Sequence, residues 1–366
     1  MTASCLIIAE AGVNHNGDQD HALRLVEAAA ATGADAVKFQ TFNATTLAAA
    51  DAPKADYQTA AVGEGSQIDM LRALELSPQA HRAAADRCAA LGIEFMSTPF
   101  DPDSVGFLCD LGVRRLKIPS GELTNPLLLR ACALSGLPLI VSTGMATLNE
   151  VDQALGLIAL TLLDPQAHPH REAIADAYVS ADGRTVLGGT VTVLHCTSEY
   201  PAAPETINLR AMDTLARHTG LAVGLSDHSQ GIAVPLAAAA RGARVVEKHF
   251  TLDCSLPGPD QKASLEPAPF TDMVRGIRTI EQALGSAEKT PGVGEQRTAA
   301  VARRSLVAAR PIAAGQVLTA DDITLKRPGT GLSPFFYWDL IGSTARRAYR
   351  PDEALDHPPQ DYGGVE

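Results

Sequence analysis

This 366-residue chain is short of positive charge, of paired cysteines and of long apolar runs, and each shortage removes a class of function. Thirty Lys and Arg stand against 42 Asp and Glu, for a net charge of -12. That balance argues against a nucleic-acid partner, because binding to phosphate backbones is driven by Lys and Arg. A small phosphate-bearing ligand would need cations gathered locally against the global field. The six cysteines (Cys5, Cys88, Cys109, Cys132, Cys196 and Cys254) are scattered and form no C-x-x-C pair. They read as thiols of a reducing cytoplasm, not as a disulfide framework. No basic stretch precedes the first apolar run and Glu10 follows it at once, so no signal peptide is expected. No run of about 18 apolar residues is present, so no membrane-spanning helix is expected. No G-x-G-x-x-G follows the first apolar run, which leaves an open dinucleotide-binding sheet without support. Gly63-Glu64-Gly65 lacks the Gly-Lys-Ser/Thr ending of a phosphate loop.

What is present is a repeated unit. Short apolar runs at 6–9, 36–39, 93–96, 115–118, 139–141, 192–194, 222–225 and 245–247 read as strands. They are continuous rather than alternating, as parallel strands buried on both faces are. Ala/Leu-rich helical segments separate them. Ser77-Pro78, Asp101-Pro102 and Asn125-Pro126 each place a capping side chain before a proline at the first helical position. Helical stretches at 21–32 and 78–91 close on Gly33 and Gly92. Eight such units predict an α/β chain folded as a (β/α)₈ barrel over residues 1–285. The stretch 164–187, with Pro165, Pro169, Gly183 and mixed charge, reads as a surface insertion before the sixth strand. Residues 286–303 read as a linker. A compact unit with short β segments and many turns follows at 304–366; its core is marginal alone. Its stretches Ala309-Arg310-Pro311-Ile312 and Ala345-Arg346-Arg347-Ala348 hint at an internal duplication.

In a barrel the chemistry sits at the carboxyl ends of the strands. There the sequence places Glu10, Asn14 and His15, then Lys38 and Gln40, Ser97-Thr98, and Lys117, Ser120 and Glu122. The later strands add Ser142-Thr143, His195, Ser198, Glu199 and Tyr200, Ser226, Asp227 and His228, and finally Lys248 and His249. Ammonium groups and hydroxyls converging on one mouth suit a phosphate and a carboxylate. A single Ser or Thr there as easily satisfies backbone groups at a strand end. Eight strands ending this way together weigh against that plainer reading. His228 and His249 end adjacent strands about 4.8 Å apart, so they could share one metal ion. Adjacent Ser226-Asp227-His228 cannot form a hydrolase triad, which needs separate segments. Cys196 reads as a buried inert thiol rather than a nucleophile.

Ten strings carry a resemblance: IIAEAGVNHNG (7–17), DAVKFQTF (35–42), STPFD (97–101), KIPSGE (117–122), STGM (142–145), HCTSEYP (195–201), GLSDHS (224–229), EKHFTLD (247–253), PGPD (257–260) and KRPGTG (326–331). In this order they resemble the N-acetylneuraminate (sialic acid) synthase family, which includes legionaminic and pseudaminic acid synthases. The resemblance implies a metal-dependent condensation of phosphoenolpyruvate with open-chain N-acetylmannosamine and water, releasing phosphate. The alternative acceptor is a 2,4-diacetamido-trideoxyhexose, giving legionaminic or pseudaminic acid. Readings of another kind are a non-catalytic glycan-binding protein and a pyruvate-using aldolase on the same barrel. The second unit is similar to a type III antifreeze (SAF, β-clip) domain. By resemblance it reaches the barrel of the other subunit in a domain-swapped, cytoplasmic homodimer.

The resemblance also assigns roles. Lys38, Thr98, Lys117, Ser120, Ser142 and Ser226 match residues that hold phosphoenolpyruvate. His228 and His249 match the ligands of a divalent metal, Mn²⁺ first and Mg²⁺ or Co²⁺ as alternatives. Gln40, Glu122, Tyr200 and Asp260 match residues around the sugar, and Ser198 stands where several members have Asn or Thr. Glu10, Glu122 and Lys117 are the candidate catalytic groups. Arg327 matches an arginine that contacts the N-acyl group from the partner subunit. Val301 lies near a position where some members have Phe.

Overall fold

The computed structural model describes residues 4–357; the end of the expected 304–366 unit lies outside this range. The chain divides into two compact units, Met1–Gly285 and Ser286–Glu366.

The first unit carries eight parallel strands: β1 (Leu6–Gly12), β2 (Ala36–Thr41), β3 (Glu94–Pro99), β4 (Leu116–Ile118), β5 (Leu139–Ser142), β6 (Val191–Cys196), β7 (Ala222–Asp227) and β8 (Val245–His249). The ladder runs β3-β2-β1-β8-β7-β6-β5-β4, with β1 paired to β8, so the sheet curls round on itself. No ladder joins β3 to β4 among the described residues. At that seam Arg115 forks onto Glu94, with Nε–Oε1 at 2.8 Å and Nη2–Oε2 at 3.0 Å. Helices cover the outside, and the expected (β/α)₈ architecture is what is found.

The proline-led helices begin as their sequences dictate. Ser77, Asp101 and Asn125 accept hydrogen bonds from the first-turn amides of Pro78–Leu91, Pro102–Leu111 and Pro126–Leu134. Two segments depart from the sequence reading. The 164–187 insertion is ordered as two helices, Arg171–Val179 and Ala181–Thr190, packed on Leu148–Leu163. In the second of these helices Gly183, Gly188 and Gly189 dilute the apolar periodicity that marks a helix. The stretch between β2 and Pro78–Leu91, unassigned from its residues, holds three short helices: Ala44–Leu47, Asp56–Val62 and Gln67–Leu74.

The second unit begins with a helix, Val293–Ala302, inside the stretch expected as linker. Strands β9 (Ser305–Ala308) and β10 (Ile323–Lys326) pair antiparallel around a small core of Leu306, Ile312, Leu318, Leu340 and Tyr349. Ile312 and Tyr349 exchange backbone hydrogen bonds at 3.0 and 2.9 Å, so the two similar stretches lie side by side. Asp322 is fully buried and accepts from Arg310, Gln316 and Thr319, which ties the unit's turns together.

Candidate active site

Side chains on a strand alternate between its faces, so one buried layer fixes the next. Ile8, Ala36, Met96, Ile140, Leu194 and Val245 pack together inside the barrel. Two residues further along each strand stand Glu10, Lys38, Thr98, Ser142, Cys196 and Glu247. The pleat therefore lifts a charged and polar layer directly above an apolar plug. Gly224 belongs to the lower layer, where a Cβ would meet the Val245 carbonyl at 2.3 Å. Ser226, two residues on, joins the polar layer.

The polar layer is a closed charge network. Lys38 Nζ lies 2.6 Å from Glu10 Oε2 and 3.6 Å from Glu247 Oε2, and donates to Thr98 Oγ1 at 2.8 Å. Lys117 Nζ and Ser226 Oγ each donate to Glu247 Oε1 at 3.0 Å. All four charged groups are at most 5% exposed. The network pushes the two carboxylates apart. Burial raises Glu10, and neighbouring Glu247 adds to this against Lys38, so Glu10 rises to about 7. Burial alone would raise Glu247 too, but Lys117 and Lys38 outweigh it and hold Glu247 at about 2. The floor thus holds one fixed anion, two ammonium groups and one carboxyl able to exchange a proton near neutrality.

The β6–β8 side supplies a second group. His228 and His249 have ring centroids 5.3 Å apart, with Tyr200 4.1 Å from the first and 5.6 Å from the second. His228 Nδ1–H donates to the Thr197 carbonyl at 2.7 Å, which leaves Nε2 as the ring's free nitrogen. Burial disfavours a charged His228, yet Cys196 at 3.9 Å and the Thr197 carbonyl turn the balance upward. Burial, with His228 and Lys38 nearby, keeps His249 well below its ordinary range and so neutral. Its Nδ1 is buried without a partner. Two imidazoles with available lone pairs fit an open divalent-ion site, although no cluster of three or more acidic, His or Cys ligands forms among the described residues. Asp260 lines the same space; burial lifts it to about 6 against the pull of His228.

These groups share one cavity of about 510 Å³. Glu10, Lys38, Gln40, Thr98, Lys117, Ser120, Ser198, Tyr200, Ser226, His228, His249 and Asp260 all line it. Three expected site residues stand elsewhere. Glu122 does not line the cavity, and its Oε2 accepts from Asn125 Nδ2 at 2.7 Å. Ser142 is buried at the end of β5 with its hydroxyl unpartnered. Arg327 is exposed in the second unit, just after β10.

Several residues that the sequence placed at the mouth turn out to face outward, because the pleat alternates. His195 donates to the Ile207 carbonyl at 2.6 Å, and Ser97 bonds Thr41 at 2.7 Å. Lys248 is no site cation: it is fully buried behind the sheet, 2.6 Å from Asp227 Oδ2, and also donates to the Ser229 carbonyl. Two residues were missed. Glu247 stood in view, and counting back two from His249 would have found it. Cys196 lines the cavity rather than the outer core; burial opposes its ionisation, but His228, Ser120 and Lys117 draw its thiol down to about 7. Gly144 is also fixed by the site, since a Cβ there would stand 2.3 Å from Ser198 Oγ and 2.7 Å from Ser120 Oγ.

Residues 25–289 match the NeuB family and residues 303–356 match the SAF domain. The chain belongs to the NeuB family. The chain is 47% identical to the N,N'-diacetyllegionaminic acid synthase of Legionella pneumophila over 341 residues, 93% of this chain and 90% of that one. To the N,N'-diacetyllegionaminic acid synthase of Campylobacter jejuni it is 41% identical, over 96% of this chain and 98% of that one. Among solved structures it is similar to the N-acetylneuraminic acid (sialic acid) synthetase of Leptospira borgpetersenii in complex with citrate. That likeness has a TM-score of 0.65 and 31% identity over 81% of this chain and 90% of that one. The resemblance read from the motifs holds, and so does the class of reaction: this NeuB-family chain is a phosphoenolpyruvate-dependent nonulosonic acid synthase, a transferase.

Proposed function

We propose that this NeuB-family enzyme condenses phosphoenolpyruvate with a 2,4-diacetamido-trideoxyhexose to give a legionaminic-type acid and phosphate. N-acetylmannosamine, the first acceptor suggested by the sequence, is the less well supported reading. The relatives at 47% and 41% identity are legionaminic acid synthases, whereas the sialic acid synthetase stands at 31%.

The observation that carries the chemistry is the buried pair Lys38 and Lys117 bracketing Glu247, in one cavity with His228 and His249. Two ammonium groups held in a low-dielectric floor suit a phosphate that gains charge as it leaves. Thr98, Ser120 and Ser226 would orient its oxygens and the neighbouring carboxylate. C3 of the enol forms a bond to the aldehyde carbon, and the aldehyde oxygen takes up a proton. Water adds its oxygen to C2, and the phosphate departs from C2. Glu10, raised to about 7 and lining the cavity, is better placed to deliver that proton than Glu122. A divalent ion such as Mn²⁺ held by His228 and His249 would act as a Lewis acid toward the aldehyde oxygen. Gln40, Tyr200, Ser198 and Asp260 would position the sugar, and Arg327 would reach it from a second subunit of a homodimer. All six cysteines stand as free thiols, which suits a cytoplasmic enzyme; no helix among the described residues is long and apolar enough to cross a membrane.

The test is phosphate release with Mn²⁺ and each acceptor in turn. The expected order in kcat/KM is the 2,4-diacetamido sugar of the legionaminic configuration first, with its pseudaminic isomer and N-acetylmannosamine behind. Silence with every N-acyl sugar would overturn the synthase reading, and turnover with pyruvate in place of its phosphorylated enol would mean an aldolase.

A further inference from the structure

The cavity has two unlike walls. The β6–β8 side is polar, with Tyr200, His228, His249 and Asp260. Beyond the ends of β1, β2 and β3 the lining is apolar: Val13, Leu47, Met70, Leu71, Leu74 and Phe100 stand there. These apolar residues are not an extension of the barrel core. With Phe42 they form a separate cluster, in which Leu47, Met70, Leu71 and Phe100 remain half-buried. Three of them sit on the short helix Gln67–Leu74, where positions 70, 71 and 74 share one face. Apolar surface left open toward a cavity, rather than folded into a core, marks a ligand-facing surface. Two primary amides, Gln58 and Gln67, stand among these side chains. Gln58 Oε1 accepts from the Ala55 amide at 3.0 Å, which directs its NH₂ elsewhere.

We infer that this wall is the specificity surface for the acceptor sugar, and that it takes a deoxygenated carbon and an acetamido methyl. The inference rests on the acceptor proposed above and names what would read it. Thioether, isobutyl and phenyl groups offer a hydroxyl no partner, so a hydroxylated acceptor gains nothing there. An acetamido group presents a methyl for Met70 and Leu71 and an amide for the glutamines. The polar partners of Lys38, Lys117 and Glu247 are one another, Glu10, Thr98 and Ser226, so a change in the wall breaks no bond of the phosphate floor.

The experiment compares kcat/KM for the 2,4-diacetamido-trideoxyhexose and for N-acetylmannosamine in wild type, Met70→Gln and Met70→Ala, with KM for phosphoenolpyruvate and melting temperature alongside. Contacts of this size are worth about 10–200-fold in discrimination. Met70→Gln should shift the acceptor ratio toward N-acetylmannosamine by at least about tenfold, with the phosphoenolpyruvate KM unchanged. Met70→Ala, which keeps the wall apolar, should lower turnover of the diacetamido sugar without favouring the hydroxylated one, and it serves should Met70→Gln fail to fold. An unchanged ratio in folded variants would overturn the inference. Wild type preferring N-acetylmannosamine would overturn the proposed acceptor instead, and the wall would still stand or fall on whether the Met70 variants move the ratio.

Discussion

Replacing Glu247 by Gln tests the charge arrangement of the floor. The carboxylate is 5% exposed, 3.0 Å from Lys117 Nζ and 3.6 Å from Lys38 Nζ. Lys38 keeps Glu10 at 2.6 Å in the variant, but Lys117 loses its carboxylate and stays buried. Breaking one partner from a buried pair typically costs about 3–5 kcal/mol, since an uncompensated charge remains. At about 2–4 °C per kcal/mol for a domain near this size, the melting temperature should fall by about 6–20 °C. An anion bound between the lysines would restore the balance. Inorganic phosphate should therefore stabilise Glu247→Gln more than it stabilises wild type, because one negative charge facing the anion has gone. The assay is thermal unfolding of both proteins across a phosphate titration at constant ionic strength. A melting temperature within about 2 °C of wild type, or equal stabilisation of both proteins by phosphate, would refute the assignment of Glu247 as the floor's fixed anion.

Three further outcomes are expected. Glu10 titrates near 7 in the folded chain against an ordinary 4.5, so the stability it contributes is complete below pH 4.5 and is lost as pH rises through 7. The melting-temperature advantage of wild type over Glu10→Gln should accordingly shrink between pH 4.5 and 7.5; a constant difference would contradict the raised carboxyl. Asn14 Nδ2 donates to the Phe250 carbonyl at 3.0 Å and to Ser264 Oγ at 2.9 Å, while Ser264 Oγ donates to the Asp260 carbonyl at 2.7 Å. Asn14→Ala should raise KM for the acceptor severalfold and leave that for phosphoenolpyruvate nearly unchanged, as steady-state kinetics with each substrate varied would show. Arg327→Ala and Lys117→Ala should each be nearly inactive; mixed and re-formed as heterodimers they should regain turnover, and heterodimers without activity would count against a shared site.

The fold was legible because buried parallel strands write themselves as apolar runs and because Ser, Asp or Asn before Pro announces a helix. The strand ends were less so. The runs read at 6–9, 36–39 and 245–247 stop early, and β1, β2 and β8 continue through Glu10, Gln40 and His249. These candidate site groups therefore sit on strands rather than in the loops that follow. Which polar residue faces inward depends on parity within each strand, and a string such as Glu247-Lys248-His249 does not display its parity until a neighbour fixes it. That is why the sequence points to Lys248 as a site cation and hides Glu247. The apolar wall was hidden for another reason: short helices such as Ala44–Leu47 and Gln67–Leu74 span too few turns to show a period.

Diffraction from crystals soaked with Mn²⁺ and phosphoenolpyruvate, recorded at a wavelength that reveals manganese, tests the central claim most directly. One manganese signal between the His228 and His249 rings is expected, with a phosphate held by Lys38 and Lys117 within the same cavity. Manganese bound away from this pair, or phosphoenolpyruvate seated outside the ring formed by Lys38, Lys117 and Ser226, would contradict it.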